Sequence, residues 1–220
     1  MLPDYLFAKI KVVFFDAEGT LFAIHPSVGH IYARVAEKFG IKASCEAIER
    51  RFFEIYRQSR RAWEADPESC FEGWREVFLK TMEGFGTLSD PEAAFKECYE
   101  CFARREFFKL SPGVRETLEF LREKGRRLAV ISNWDERLRR LLKTFELSSF
   151  FEEIFISCET GLAKPDPALF EFACRKMGVR PEEALMVGDS LEDDVLGARR
   201  AGLFALRYPG GNMKRLFSRH

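Results

Sequence analysis

From residue 113 onward the chain alternates between two hydrophobic periods, and that alternation restricts its architecture more than any other feature. A helical stretch over about 113–124 stops at Gly125, and an apolar run from Arg127 to Ile131 ends in Ser132-Asn133. Leu138, Leu141, Leu142 and Phe145 recur at helical spacing, and Ile154–Ile156 reads as a strand. A helix near 167–177 leads to a strand, Ala184–Val187, that ends in Gly188-Asp189. A helix near 192–201 and a strand near 203–208 close the series. Helices between short apolar strands predict right-handed crossovers and a mostly parallel sheet.

The first strand lies far upstream. Lys11-Val12-Val13-Phe14-Phe15 is a buried-strand pattern that stops at Asp16, with Gly19 and Thr20 in the turn beyond it. Residues 27–108 then show only helical periodicity. Ser27 caps a helix whose apolar face is Val28, Ile31, Tyr32, Val35 and Phe39, and Ser44 caps a second through Ile48, Phe52 and Ile55. Phe71, Trp74, Val77, Phe78 and Met82 mark a third helix. Ser89-Asp90-Pro91 opens a fourth, with proline just inside its start. The expected fold is therefore a doubly wound, Rossmann-like α/β core, residues 1–21 and 111–220, with an all-helical cap, residues 22–110, inserted after the first strand. Hinges are expected at 22–26 and 108–113.

Composition narrows the function. Apolar residues at 46% and charged residues at 32% describe a globular chain able to bury a core. Lysine plus arginine and aspartate plus glutamate each number 35, so no overall basic field attracts nucleic acid or an anionic membrane. Any anion must be held locally. No apolar run approaches the roughly 18 residues of a spanning helix, and the opening MLPDYLFAKIK does not read as a leader, so a cytoplasmic protein is expected. The six cysteines are scattered and read as reduced thiols rather than a disulfide framework. Cys98 and Cys101 have CxxC spacing but lie within a helical pattern, so they read as buried thiols. The 23 phenylalanines read as core filling, as do Trp63 and Trp74. Arg57, Arg60 and Arg61 form a basic stretch that reads by default as a solvated helix face and otherwise as a contact for an anionic substrate tail.

In an open parallel sheet, ligands bind beyond the carboxyl ends of the strands. Those ends carry Asp16, Ser132 with Asn133, and Asp189, and Lys164 sits in a Lys-Pro-Asp-Pro loop after the third. Singly, each is an ordinary turn or cap residue. Together they place a carboxylate nucleophile, hydroxyl and amide donors, a cation and a second carboxylate around one crevice.

These segments also carry a resemblance. Asp16-Ala-Glu18-Gly19-Thr20, Val-Ile-Ser132-Asn133, Lys164-Pro-Asp-Pro and Val-Gly188-Asp189-Ser190-Leu-Glu-Asp193-Asp194 resemble, in order, the four motifs of the haloacid dehalogenase-like hydrolases, in members with a helical cap between the first two. The resemblance implies an Mg²⁺-dependent phosphatase of a small phosphate monoester, working through an aspartyl-phosphate. In it Asp16 is the nucleophile, and Glu18 stands where most such phosphatases have an aspartate as acid and then base. Mg²⁺ is held by Asp16, the backbone carbonyl of Glu18 and Asp189, with Asp194 as auxiliary ligand or its support. Lys164 and Ser132 hold the phosphoryl group, Asn133 orients it, and Thr20 supports the nucleophile loop and its phosphate-binding donors. Asp193 is expected to face solvent in the first turn of its helix. Glu18 reaches one methylene further than aspartate, so it requires an adjusted geometry or gives slow turnover. The resemblance also admits a metal-independent 2-haloacid dehalogenase and a non-catalytic binding protein. Glu18 and Asp189 oppose the first; Asp16, Lys164 and Asp189 oppose the second. The expected partner is a small phosphorylated metabolite, not nucleic acid or membrane, bound by a monomer or homodimer.

Overall fold

A computed structural model describes residues 4–217. The outermost positions of the expected core boundaries, and the first residues of MLPDYLFAKIK, lie outside that range. Five strands form one parallel sheet: β1 (Val12–Phe15), β4 (Arg127–Ser132), β5 (Glu153–Ile156), β6 (Ala184–Gly188) and β7 (Phe204–Arg207), in the order β5-β4-β1-β6-β7. The order runs outward from β1 in both directions, which is the doubly wound α/β arrangement.

Alternation along β1 explains why helices cover both faces. Val13 and Phe15 join an apolar cluster with Leu118, Leu138 and Leu142, while Val12 and Phe14 join another with Leu169, Phe170 and Ala173. All four β1 residues have no solvent exposure, so the strand reads as an unbroken apolar run rather than an alternating one.

Between β1 and β4 the chain forms four main helices, Val28–Lys38, Cys45–Ser59, Cys70–Met82 and Pro91–Cys101. Ser44 accepts from the Ala47 N–H at 3.1 Å, as a cap should. Asp90, one residue beyond Ser89, caps the fourth helix by accepting from the Ala93 N–H at 2.9 Å. Ser27 precedes its helix but does not cap it; its hydroxyl donates instead to Glu49 at 2.6 Å on the neighbouring helix.

Two further features escaped the sequence pattern. β2 (Phe22–Ile24) and β3 (Phe108–Leu110) pair antiparallel, with Phe22 opposite Leu110, and this ribbon joins the helical segment to the sheet. Three-residue strands are too short to display a period. Cys70 and Cys158 form a disulfide, contrary to the expectation of reduced thiols, with their Cα atoms 6.0 Å apart. They are 88 residues apart in sequence, so only the tertiary fold brings them together. The bond ties the helix Cys70–Met82 to the segment after β5. Cys45, Cys98, Cys101 and Cys174 are free, the last three buried.

Candidate active site

β1 ends at the centre of the sheet and delivers Asp16 to its carboxyl edge, where the Asp16 N–H donates to the Val187 carbonyl at 2.9 Å. The side chain is 6% exposed, so its charge needs local partners. Lys164 Nζ donates to Asp16 Oδ1 at 2.5 Å and to Asp194 Oδ1 at 2.6 Å. Ser132, the last residue of β4, donates to Asp16 Oδ1 at 3.2 Å. Thr20 is fully buried and directs its hydroxyl to Asp16 Oδ2 at 3.4 Å and Asp189 Oδ1 at 3.5 Å. Thr20 thus links the carboxylate after β1 to the carboxylate after β6.

The lysine is held from both ends. Its backbone N–H donates to Asn133 Oδ1 at 2.8 Å, and Asn133 Nδ2 donates back to the Lys164 carbonyl at 2.9 Å. Asn133 therefore positions the lysine loop through both faces of its amide. Asp194 Oδ2 accepts from the Ser190 N–H at 2.9 Å while its other oxygen holds Lys164. Asp194 lies in a π-helical turn, Leu191–Leu196, whose first residues are capped by Ser190. Such turns displace side chains from ordinary helical register.

Two glycines permit this packing. A Cβ on Gly19 would lie 2.6 Å from the Asp189 carboxylate, and one on Gly188 would lie 2.2 Å from that of Asp194. Gly19 also has φ +84°, a left-handed conformation that disfavours other residues.

Electrostatically the cluster is short of positive charge. Asp16, Asp189 and Asp194 each offer an oxygen within 4.8 Å of the others, against one ammonium. Burial raises Asp16, Lys164 opposes that rise, and the neighbouring carboxylates add to it. Asp189 is raised for the same reasons, burial first and Asp194 next. Burial disfavours the Lys164 charge, but the two carboxylates outweigh it and hold the ammonium above its usual range. Oxygen donors with excess negative charge suit a hard divalent cation such as Mg²⁺.

The Glu18 side chain is not one of the three gathered carboxylates. Its Oε1 accepts from the Ile24 N–H at 3.4 Å, and its carboxyl is pushed up to about 7, by burial first and by Asp189 as an added cause. It lines a cavity of about 310 Å³ between the helical segment and the sheet edge.

Three residues near the site make contacts that the sequence did not assign to them. Arg60 does not belong to a solvated face: its Nη2 donates to Asp193 Oδ2 at 3.1 Å. Asp193 correspondingly does not face solvent freely, its side chain being 17% exposed and paired. Glu64, 3% exposed, accepts from Tyr56 Oη at 2.5 Å and from Asn133 Nδ2 at 3.3 Å. Burial raises the Glu64 carboxyl, while Tyr56 and Arg60 oppose the rise. Residues 60–64 thus reach from the helical segment to two strand-end loops. The only sequence signal was a short basic stretch, which does not identify its partner.

Residues 10–202 match the haloacid dehalogenase-like hydrolase family, and the chain belongs to that family of hydrolases. Glyceraldehyde 3-phosphate phosphatase of Methanopyrus kandleri is 37% identical over 213 residues, covering 92% of this chain and 85% of its own. The 2-haloacid dehalogenase of Pseudomonas syringae is similar in structure, with a TM-score of 0.64 at 27% identity, over 90% of this chain and 86% of that one. The hydrolase YfnB of Bacillus subtilis shares the fold at a TM-score of 0.78 and 19% identity, over 95% and 97% of the two chains.

Proposed function

We propose that the protein is an Mg²⁺-dependent phosphatase of a small phosphate monoester, with Asp16 as nucleophile and residues 22–110 as a cap over its site. The observation that carries this reading is the placement of Asp16: buried at the end of the central strand, beside Lys164 and Ser132, with Asp189 and Asp194 close by.

Mg²⁺, held by Asp16, the Glu18 carbonyl and Asp189 with Asp194 as auxiliary or support, would draw charge from the phosphoryl oxygens and lessen repulsion between two anions. The remaining roles fall to the chain. Asp16 attacks phosphorus in line, forming an aspartyl-phosphate as the P–O bond to the leaving alcohol breaks. Lys164 and Ser132 neutralise and hydrogen-bond the transferring group. Asn133 keeps the Lys164 loop in place, and Thr20 braces Asp16. Glu18, with its raised carboxyl, gives a proton to the leaving oxygen. It then takes one from the water that releases phosphate.

The dehalogenase reading uses a carboxylate nucleophile on carbon without a metal, and the three gathered carboxylates oppose it. A screen of phosphate esters with and without Mg²⁺, using Asp16→Asn as control, tests the proposal. Mg²⁺-dependent phosphate release absent from the variant supports it. Metal-independent halide release from 2-haloacids, with no phosphate release, refutes it.

A further inference from the structure

The cavity beside Glu18 differs sharply from the phosphate site. Ten of its eighteen lining residues are aromatic, supplied by all four main helices of the insertion and by Trp134 next to Asn133. Its charged members are Glu18, Glu49 and Arg137. Arg137 is not available to a second anion: its guanidinium forks onto Asp135 at 2.8 and 2.6 Å and donates to the Tyr99 carbonyl at 3.0 Å. The same guanidinium lies 3.5 Å from the Tyr99 ring centre, with Trp74, Phe102 and Trp134 around it. The aromatic cage is therefore already filled by the protein's own cation.

From this arrangement we infer that the leaving group of the substrate is uncharged and predominantly apolar, an aryl or branched alkyl alcohol. The inference rests on the phosphatase reading and extends it to a substrate class. A carboxylate or second phosphate on the substrate would face Glu18 and Glu49 without a free cation. An ammonium would find the faces of Tyr99, Trp74, Phe102 and Trp134 already taken by Arg137, and Glu49 already accepting from Ser27. Apolar carbon meets neither cost and is removed from water against aromatic walls. An apolar cavity of about 150 Å³ accepts benzene, so this larger one accommodates a two-ring or similarly bulky group. Position supports the same assignment, because Glu18 lines the cavity only two residues from Asp16. An alcohol lodged there presents its oxygen at the acid and its phosphorus at the nucleophile.

The test is a set of steady-state measurements on the full chain with Mg²⁺. Neohexyl phosphate and choline phosphate are nearly equal in shape but differ by one positive charge, and glycerol phosphate supplies a polar comparison. The expected result is a kcat/KM for neohexyl phosphate at least ~10-fold above both others. From ethyl to hexyl phosphate it should rise about three- to fivefold per methylene before levelling off. Val28→Phe, which fills part of the cavity, should move that plateau to shorter chains. If all these esters turn over but choline or glycerol phosphate is preferred, or chain length has no effect, the substrate class is wrong and the phosphatase reading stands. If neither these esters nor acetyl phosphate turn over, both fall together.

Discussion

The two sides of Glu18 obey opposite physical rules. At the sheet edge, Asp16, Lys164 and Asp194 are nearly fully buried, and each ionised group is held by another. In the cavity on the other side, most of the lining residues are aromatic, and Arg137, the buried cation in its wall, is neutralised by Asp135. A cluster of buried charge has little freedom: removing one member leaves the others unpaired in a poor solvent. An aromatic cavity tolerates exchange of one apolar group for another at modest cost. The first region is thus suited to fixing a reaction and the second to selecting what enters it.

That contrast can be broken first at Asp16, the proposed nucleophile. Asp16→Asn should lower kcat about 10⁴-fold or more, and chelation of Mg²⁺ should abolish turnover just as completely. Rates for both can be read by phosphate release. An activity that survives either change would remove the charged cluster from the chemistry.

Lys164→Met should be next in effect. It leaves the Asp16 and Asp194 carboxylates without their shared ammonium, and breaking a buried ion cluster costs about 3–5 kcal/mol. Denaturant melts without metal should show that loss. Mg²⁺ should restore part of it, because the cation replaces the missing charge.

Glu18→Gln should reduce kcat about 10²–10⁴-fold on alkyl phosphates, and far less on nitrophenyl phosphate, whose leaving group needs no proton. In the proposed mechanism the proton donor is the protonated carboxyl, present below the raised value near 7 and lost as pH rises through it. Alkyl phosphate hydrolysis should therefore fall above about pH 7. Metal binding offsets the Asp189 contribution, but burial, the larger cause, persists. Glu18→Asp tests the extra methylene, and equal rates for glutamate, aspartate and glutamine would exclude this side chain as the proton carrier.

Joining the two regions are the Cys70–Cys158 bond and the contacts of Arg60 and Glu64. Replacing both cysteines with serine should cost about 2–4 kcal/mol, since the bond closes a long loop in the unfolded chain. A melt of the variant beside the oxidised protein measures it. The smallest effect belongs to Arg60 and Asp193: a double-mutant cycle should give a coupling of about 1 kcal/mol, as expected for a partly solvated pair.

Much of this was legible before any coordinates. The strands announced themselves because a sheet covered on both faces needs continuous apolar runs, and Asp16, Ser132 and Asp189 were found because such runs must stop somewhere. Lys164 was legible from its Lys-Pro-Asp-Pro loop. The β2–β3 ribbon was not, since three residues carry no period and its register joins distant segments. Nor was the pairing of Arg60 with Asp193, 133 positions away, because an arginine on a helix looks the same whether it meets water or a carboxylate. Asn133 was placed correctly at a strand end, yet its amide is engaged with the Lys164 backbone, a role visible only when both loops are seen together.

The central claim is that Asp16 becomes covalently phosphorylated. Rapid acid quench during turnover of a phosphate ester, followed by peptide mass mapping, addresses it directly. A phosphoryl group on the Asp16 peptide, present with Mg²⁺ and missing with chelator, is the predicted outcome. Steady phosphate release with that peptide unmodified at every quench time would mean that water attacks the ester without the aspartate.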